Sequence, residues 1–156
     1  MRPAMRRADR AVSEELARQF LAESEYLTLS MTDPDGLPYG VALSFAVMDG
    51  ALYFHSAKEG YKCTCIGDGA TCCVTAQQHV ENLPQHYTAG YRSVVAFGRV
   101  APVTDKAEHD RALYAICDKY APLDKEQIRR YVETAGNNTA VYRIDIESIT
   151  GKENKR

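Results

Sequence analysis

The segment from Tyr26 to Ser56 holds three extended apolar runs with room between them for nothing larger than a turn. In "YLTLSM", Leu27, Leu29 and Met31 alternate with Tyr26, Thr28 and Ser30, the period-two pattern of a half-buried strand. "DPDG", Asp33 to Gly36, is a turn by composition, and "LPYGVALSFAVM" resumes the extended pattern as one strand. "MDG", Met48 to Gly50, turns the chain again into "ALYFHS". Strands joined by hairpin-length loops pair antiparallel, because a parallel return needs a crossover of about a dozen residues or more. The rest of the chain must be built onto this three-stranded meander.

Before the meander, Val12, Leu16 and Phe20 recur at helical spacing, and Ser13 followed by two glutamates marks a helix start, predicting a helix over Ser13 to Glu23. After it, "AKEGYKCTCIGDG" is read as holding a short helix that ends near Gly67, and "ATCCVTA" as a fourth strand. The polar stretch from Gln77 to Gly90 has the length of a functional loop or lid. Tyr91 to Val103 is a long β-branched strand whose Gly98 marks a bulge or barrel bend. Two helices follow, "DKAEHDRALYAICDKY" with Ala112, Ile116 and Tyr120 on one stripe, and "LDKEQIRRYVETA". "TAVYRIDIESITGK" closes the chain as a strand with Val141, Ile144 and Ile146 as core residues. About six strands, short hairpins and few helices define a mainly β chain with flanking helices: a small closed or half-closed antiparallel barrel.

Its 156 residues fit one domain, residues 1–156, with 45% hydrophobic and 26% charged residues. A net charge of −2 gives nucleic acid and anionic membranes no global attraction. The basic "MRPAMRRADR" lacks the apolar stretch of a signal peptide, and no window approaches the ~18 apolar residues of a membrane span. A cytoplasmic protein is expected. Cys63, Cys65, Cys72, Cys73 and Cys117 are odd in number, which fits reduced thiols. Structural zinc sites favour C-x2-C knuckles, so "CTCIGDGATCC" is read as small hydrophobes with no metal site, and His79 and His86 as loop residues.

"LYFHSAKEGYK", residues 52 to 62, ends a strand on His55 and Ser56 and then presents Gly60 and Lys62. A hydroxyl, free backbone N–H groups and an ammonium at one strand end suit a phosphate. A solvated loop with a helix-capping serine accounts for the same residues, and the stretch alone leaves both readings open. No Walker A or G-x-G-x-x-G sequence is present.

In the order and spacing of "MRRADR" (Met5–Arg10), "DGLPYGVALSF" (Asp35–Phe45), "LYFHSAKEGYK", "YRSVVAFGRV" (Tyr91–Val100), "KAEHDRAL" and the terminal "ITGK" (Ile149–Lys152), the chain resembles the flavin-binding split-barrel proteins of the pyridoxamine 5′-phosphate oxidase superfamily, within them the nitroimidazole-resistance branch. The resemblance implies a homodimer of six-stranded split barrels with FMN in each of two clefts between subunits. Val41, Ala42, Leu43 and Ser44 would line the flavin ring. Phe54 and His55 would meet the flavin and ribityl chain, and Ser56, Tyr61 and Lys62 the phosphate. Ser93, with Arg92 beside it, falls where the oxidases place a flavin-contacting glutamine of the partner subunit. Val41 and Ala46 replace an arginine and a lysine of the oxidases, leaving Arg6 or Arg7 as replacement cations. The arginine and tryptophan that hold pyridoxamine phosphate have no counterpart in "DIESITGK", so vitamin B6 oxidation is not expected.

The expected function is that of an FMN-dependent oxidoreductase reducing a nitroaromatic or another small electron acceptor, with His55 as the catalytic proton or hydrogen-bond donor. The alternatives are a flavin- or haem-binding protein without turnover, in which His55 is an axial-type ligand, and an empty structural barrel.

Overall fold

The structure, a computed structural model, describes residues 5–121 and 124–155. Helix α1, Glu14–Glu23, starts where Ser13 Oγ accepts the amide N–H of Leu16 at 3.2 Å. It buries Ala17, Phe20 and Leu21. Strand β1, Tyr26–Thr32, buries Leu27, Leu29 and Met31 on one face and pairs antiparallel with β2, Pro38–Ser44. In the turn between them, Asp33 Oδ1 accepts the amides of Asp35 at 3.0 Å and Leu37 at 2.7 Å, an Asx-type turn. The short β3, Ala46–Met48, passes through Asp49 and Gly50, both at positive φ (52° and 79°), into β4, Ala51–Ser56. That is the "MDG" turn in the geometry a two-residue hairpin requires.

The expected single strand over Leu37 to Met48 is therefore two strands, which makes seven in place of six. The strand order is β2-β1-β5-β6-β7-β4-β3. Since β2 and β3 lie at opposite ends of this order yet are separated only by Phe45, the sheet must roll up until its two edges meet at that residue. Phe45 is fully buried and is the corner where the chain leaves β1 and joins β4. Away from the corner, β2 and β4 do not pair. The barrel is split.

Helix α2, Tyr61–Ile66, ends at Gly67 as expected. The segment read as a polar loop is instead a long hairpin, β5 (Ala70–Leu83) and β6 (Thr88–Pro102), turning through Pro84–His86. His79 accordingly lies in a strand, at a register shift between Gln78 and Glu81. Backbone pairing to the partner strand holds these polar residues extended without any apolar face. Helices α3, Lys106–Tyr120, and α4, Lys125–Ala135, then precede β7, Ala140–Asn154; the expected start of α4 at Leu123 lies outside the described residues.

The predicted bulge is present, and Gly98 is its reason. Phe97 pairs with Ser148 and Gly98 with Ile146, so Glu147 is the extra residue on β7. A Cβ on Gly98 would lie 1.9 Å from the carbonyl oxygen of Asp145. Two cores result: the barrel interior, including Phe20, Leu29, Phe54, Val74, Val100 and Ile144, and a second under α3 and α4, including Ala46, Tyr53, Leu113, Ile116, Val132 and Val141. Among the described residues, no helix is long and apolar enough to cross a membrane.

Candidate functional site

The split exposes two strand edges. β2 is hydrogen-bonded along one side only, to β1, and β4 has no strand beside Phe54–Ser56 on the side where β3 has ended. Main-chain N–H and C=O groups of Val41–Ser44 and of Phe54–Ser56 therefore border the opening, where their hydrogen bonds must come from elsewhere. Continuing the β3–β4 register, in which Ala46 faces Tyr53, sets Ser44 across from His55.

Alternation divides the residues at the end of β4. Phe54 is fully buried and stacks on Tyr142, ring centroids 5.1 Å apart and planes 15° apart. Its side chain serves the barrel interior, so at the split it offers only main-chain atoms. Leu43 is likewise buried. His55 points to the opposite face, with Val141, its partner on β7. The His55 Nδ1 is buried without a hydrogen-bond partner, which leaves Nε2 as the nitrogen within reach of a ligand. A tautomer protonated on Nε2 buries only a lone pair at Nδ1 and presents an N–H donor. Burial, and secondarily the Lys62 ammonium, lower the pKa of His55 and favour this neutral ring.

Beyond β4, Gly60 at φ 127° leads into α2, whose first turn has no side-chain cap. Lys62 lies 5.6 Å from the centre of the Phe54 ring, is half-buried, and has its pKa lowered by that burial. No carboxylate pairs with it among the described residues. Ser56 donates its hydroxyl to the carbonyl of Ala57 at 2.6 Å and lies 3.8 Å from Cys63 Sγ. The Ser56 hydroxyl therefore does not cap α2. Tyr61 donates to Asp33 Oδ2, which lowers the pKa of Asp33 and holds the phenol up at about 12.

His55, Ser56 and Lys62 are thus gathered at the end of β4, where it borders the split, while Tyr61 turns away to Asp33 and Tyr39 at the start of β2. Arg92 and Ser93 are not part of this group. Ser93 pairs with Lys152 and His55 with Val141, at opposite ends of β7. Arg92 is committed elsewhere, donating to Glu153 at 2.9 Å and lying 4.7 Å from the centre of the Phe20 ring. Arg7, a candidate replacement cation, is paired with Asp9 at 2.6 Å. A cleft of about 560 Å³ lies on the outer face of β1, β2 and β5, lined in part by Tyr26, Thr28, Ala42, Thr75 and His79. It holds none of the strand-end residues.

Asp33 and Tyr142 were not singled out from sequence. The Asx-type turn of "DPDG" was the signal for Asp33, whereas Tyr142 becomes visible only once β7 is paired with β4.

A rolled antiparallel sheet split between β2 and β4, with polar groups at the strand end, defines the class of split-barrel proteins. The chain belongs to the pyridoxamine 5′-phosphate oxidase family, which it matches over residues 13–153. No functionally curated protein matches the sequence. Among solved structures it is similar to a candidate 5-nitroimidazole antibiotic resistance protein from Bacteroides thetaiotaomicron, with 23% identity, TM-score 0.73 and coverage of 91% of this chain and 85% of that one. It is also similar to the flavocytochrome Anf3 from Azotobacter vinelandii, with 19% identity, TM-score 0.81 and coverage of 98% and 73%. A FAD-binding protein from Mesorhizobium loti shows 24% identity, TM-score 0.65 and coverage of 94% and 98%. At these identities the likeness establishes the fold.

Proposed function

We propose that this protein is an FMN-dependent oxidoreductase that passes electrons to a small acceptor such as a nitroaromatic, and that it works as a homodimer with the flavin at the subunit interface. The observation that carries the reading is the split itself. Two unpaired strand edges border it, and His55 Nε2, a Lys62 with no carboxylate partner among the described residues and the uncapped start of α2 follow one another at the end of β4. A planar ring with polar edges meets main-chain groups along Val41–Ser44, and a phosphate meets the ammonium and amides at Lys62. Structural neighbours described as a FAD-binding protein and a flavocytochrome support a flavin as the ligand. When bound, flavin supplies the electron chemistry; the residues here hold and orient it, and His55 presents a hydrogen bond or proton to flavin or acceptor. Five free cysteines accord with a reducing, cytoplasmic setting.

The dimer has its own support. Outward side chains form two rows across the sheet, Ala42–Thr28–Thr75–Val95–Thr150 and Gly40–Ser30–Cys73–Phe97–Ser148, and neither contains a charge. A broad uncharged face suits a self-complementary contact. Ser93 and His55 are too far apart in one chain to share a ligand, so only a second copy can bring Ser93 to the split.

The test is titration of FMN and riboflavin against the parent and Lys62→Ala. Losing a charge-assisted phosphate contact is expected to weaken FMN by roughly ten- to a hundredfold while riboflavin binding changes little. Equal losses would show that Lys62 does not read the phosphate. A haem carrier would instead show a Soret band in the protein as isolated, with no flavin absorption.

A further inference from the structure

Two tyrosine hydroxyls hold the two ends of β2. At its start, Tyr61 of α2 donates to Asp33 Oδ2, while Asp33 Oδ1 is occupied by the turn amides. This ties α2 to the turn from which β2 emerges. The Tyr61 ring also meets Tyr39 of β2 edge-on, centroids 5.1 Å apart. At the far end, Tyr120 closes α3 at the Phe45 corner. The amide of Phe45 donates to Tyr120 Oη at 2.9 Å, and the same hydroxyl faces the carbonyls of Glu25 and, at 3.1 Å, Phe45. Lys119 lies 3.8 Å from the centre of the Phe45 ring and donates to the carbonyl of Ser24 at 2.8 Å. Because Phe45 is fully buried, these partners replace the ladder bonds it loses on leaving β1.

We propose that Tyr61 and Tyr120 are positioning residues that set the width of the β2–β4 split from its two ends, so that the seat for the flavin is preformed. The inference rests on the flavin reading above. A strand paired along one side can twist or shear unless its ends are fixed, and recognition through main-chain groups needs those groups held to about half an ångström. Each hydroxyl has its proton engaged with an oxygen of the protein, so both act through β2 without donating to the ligand. Helices outside the barrel thereby determine the geometry of a strand that touches the cofactor.

The experiment compares Tyr61→Phe and Tyr120→Phe with Ile128→Val, a change on the buried face of α4, away from the Tyr120 turn of α3. Each variant and the parent are titrated with FMN and riboflavin, and melting temperature and bound-flavin reduction potential are measured. Both tyrosine variants are expected to lose about three- to tenfold in affinity for FMN and riboflavin alike and to shift the potential. The control is expected to melt earlier and bind as the parent does. If Tyr61→Phe weakens FMN alone, that hydroxyl reads the phosphate and the proposal fails at that end. If neither variant departs from the control, the hydroxyls are structural and the proposal fails. A parent that binds neither flavin overturns the underlying reading, before any variant is made. Tyr61 is 54% exposed, so Tyr61→Phe decides the question even where Tyr120→Phe does not fold.

Discussion

His55 gives the fold a pH dependence whose sign follows from its surroundings. Its pKa in the folded chain lies below the 6.5 of an unperturbed imidazole, chiefly through burial and then through Lys62. Between the two values the unfolded chain binds the proton and the folded chain does not. The stabilisation is therefore complete above about 6.5 and is lost as pH falls through that window. Melting temperatures of the parent are expected to drop from pH 7 towards pH 5.5 more steeply than those of His55→Asn; parallel curves would remove His55 as the cause. Gly98 is the other residue with a sharp expectation. With only 1.9 Å between an added Cβ and the Asp145 carbonyl, Gly98→Ala forces β6 and β7 apart. A loss of about 3 kcal/mol or more is expected, read from the urea midpoint. The need for glycine there was legible, since an isolated glycine in a β-branched run points to a bulge. The burial of Phe54 was less so, because an all-apolar run such as "ALYF" does not say which face each residue serves.

Among the elements, α3 is fastened to β4 by a polar clip beneath the second core. Tyr53, almost wholly buried, donates to Glu108 at 2.6 Å, and Arg143 donates to the same carboxylate oxygen at 3.0 Å. Burial and this hydrogen bond hold the Tyr53 phenol up at about 12, while the Tyr53 and Arg143 hydrogen bonds lower the pKa of Glu108. Glu108→Ala leaves a buried hydroxyl without its acceptor and is expected to cost about 1–3 kcal/mol. Tyr53→Phe is expected to cost less, since Glu108 keeps Arg143; the reverse order in chemical denaturation would contradict this account. α1, α2 and α3 could be read from apolar spacing, Ser13 and Gly67. The β5–β6 arm could not. Its residues from Gln77 to Gly90 carry no apolar alternation, and only pairing between the two strands holds them extended.

For the whole molecule, the uncharged outer face makes the oligomeric state the decisive measurement. Sedimentation is expected to give twice the 17.4 kDa chain mass. Thr75→Arg puts a charge in the middle of that face, opposite its own copy if the contact is two-fold, and is expected to yield monomers. In the proposed intersubunit site Ser93 comes from the second chain, so the monomeric variant is expected to lose flavin affinity together with the dimer. A parent that is monomeric at micromolar concentration, or a monomeric variant that still binds flavin as the parent does, would exclude the intersubunit site.

Local chemistry was enough to determine the extended runs of Tyr26–Ser56, the turns between them, the bulge glycine, most helix limits and the gathering of His55, Ser56 and Lys62 at one strand end. All of these depend on residues near one another in the chain, where backbone periodicity and turn preferences act directly. Tertiary structure alone decided that β2 and β3 part at Phe45, that Tyr61 is engaged by Asp33 and Tyr120 by the corner, and that Arg92 serves Glu153. Those outcomes depend on closure of the sheet, which brings together groups far apart in sequence and leaves each buried amide and hydroxyl to find its partner from whichever element arrives.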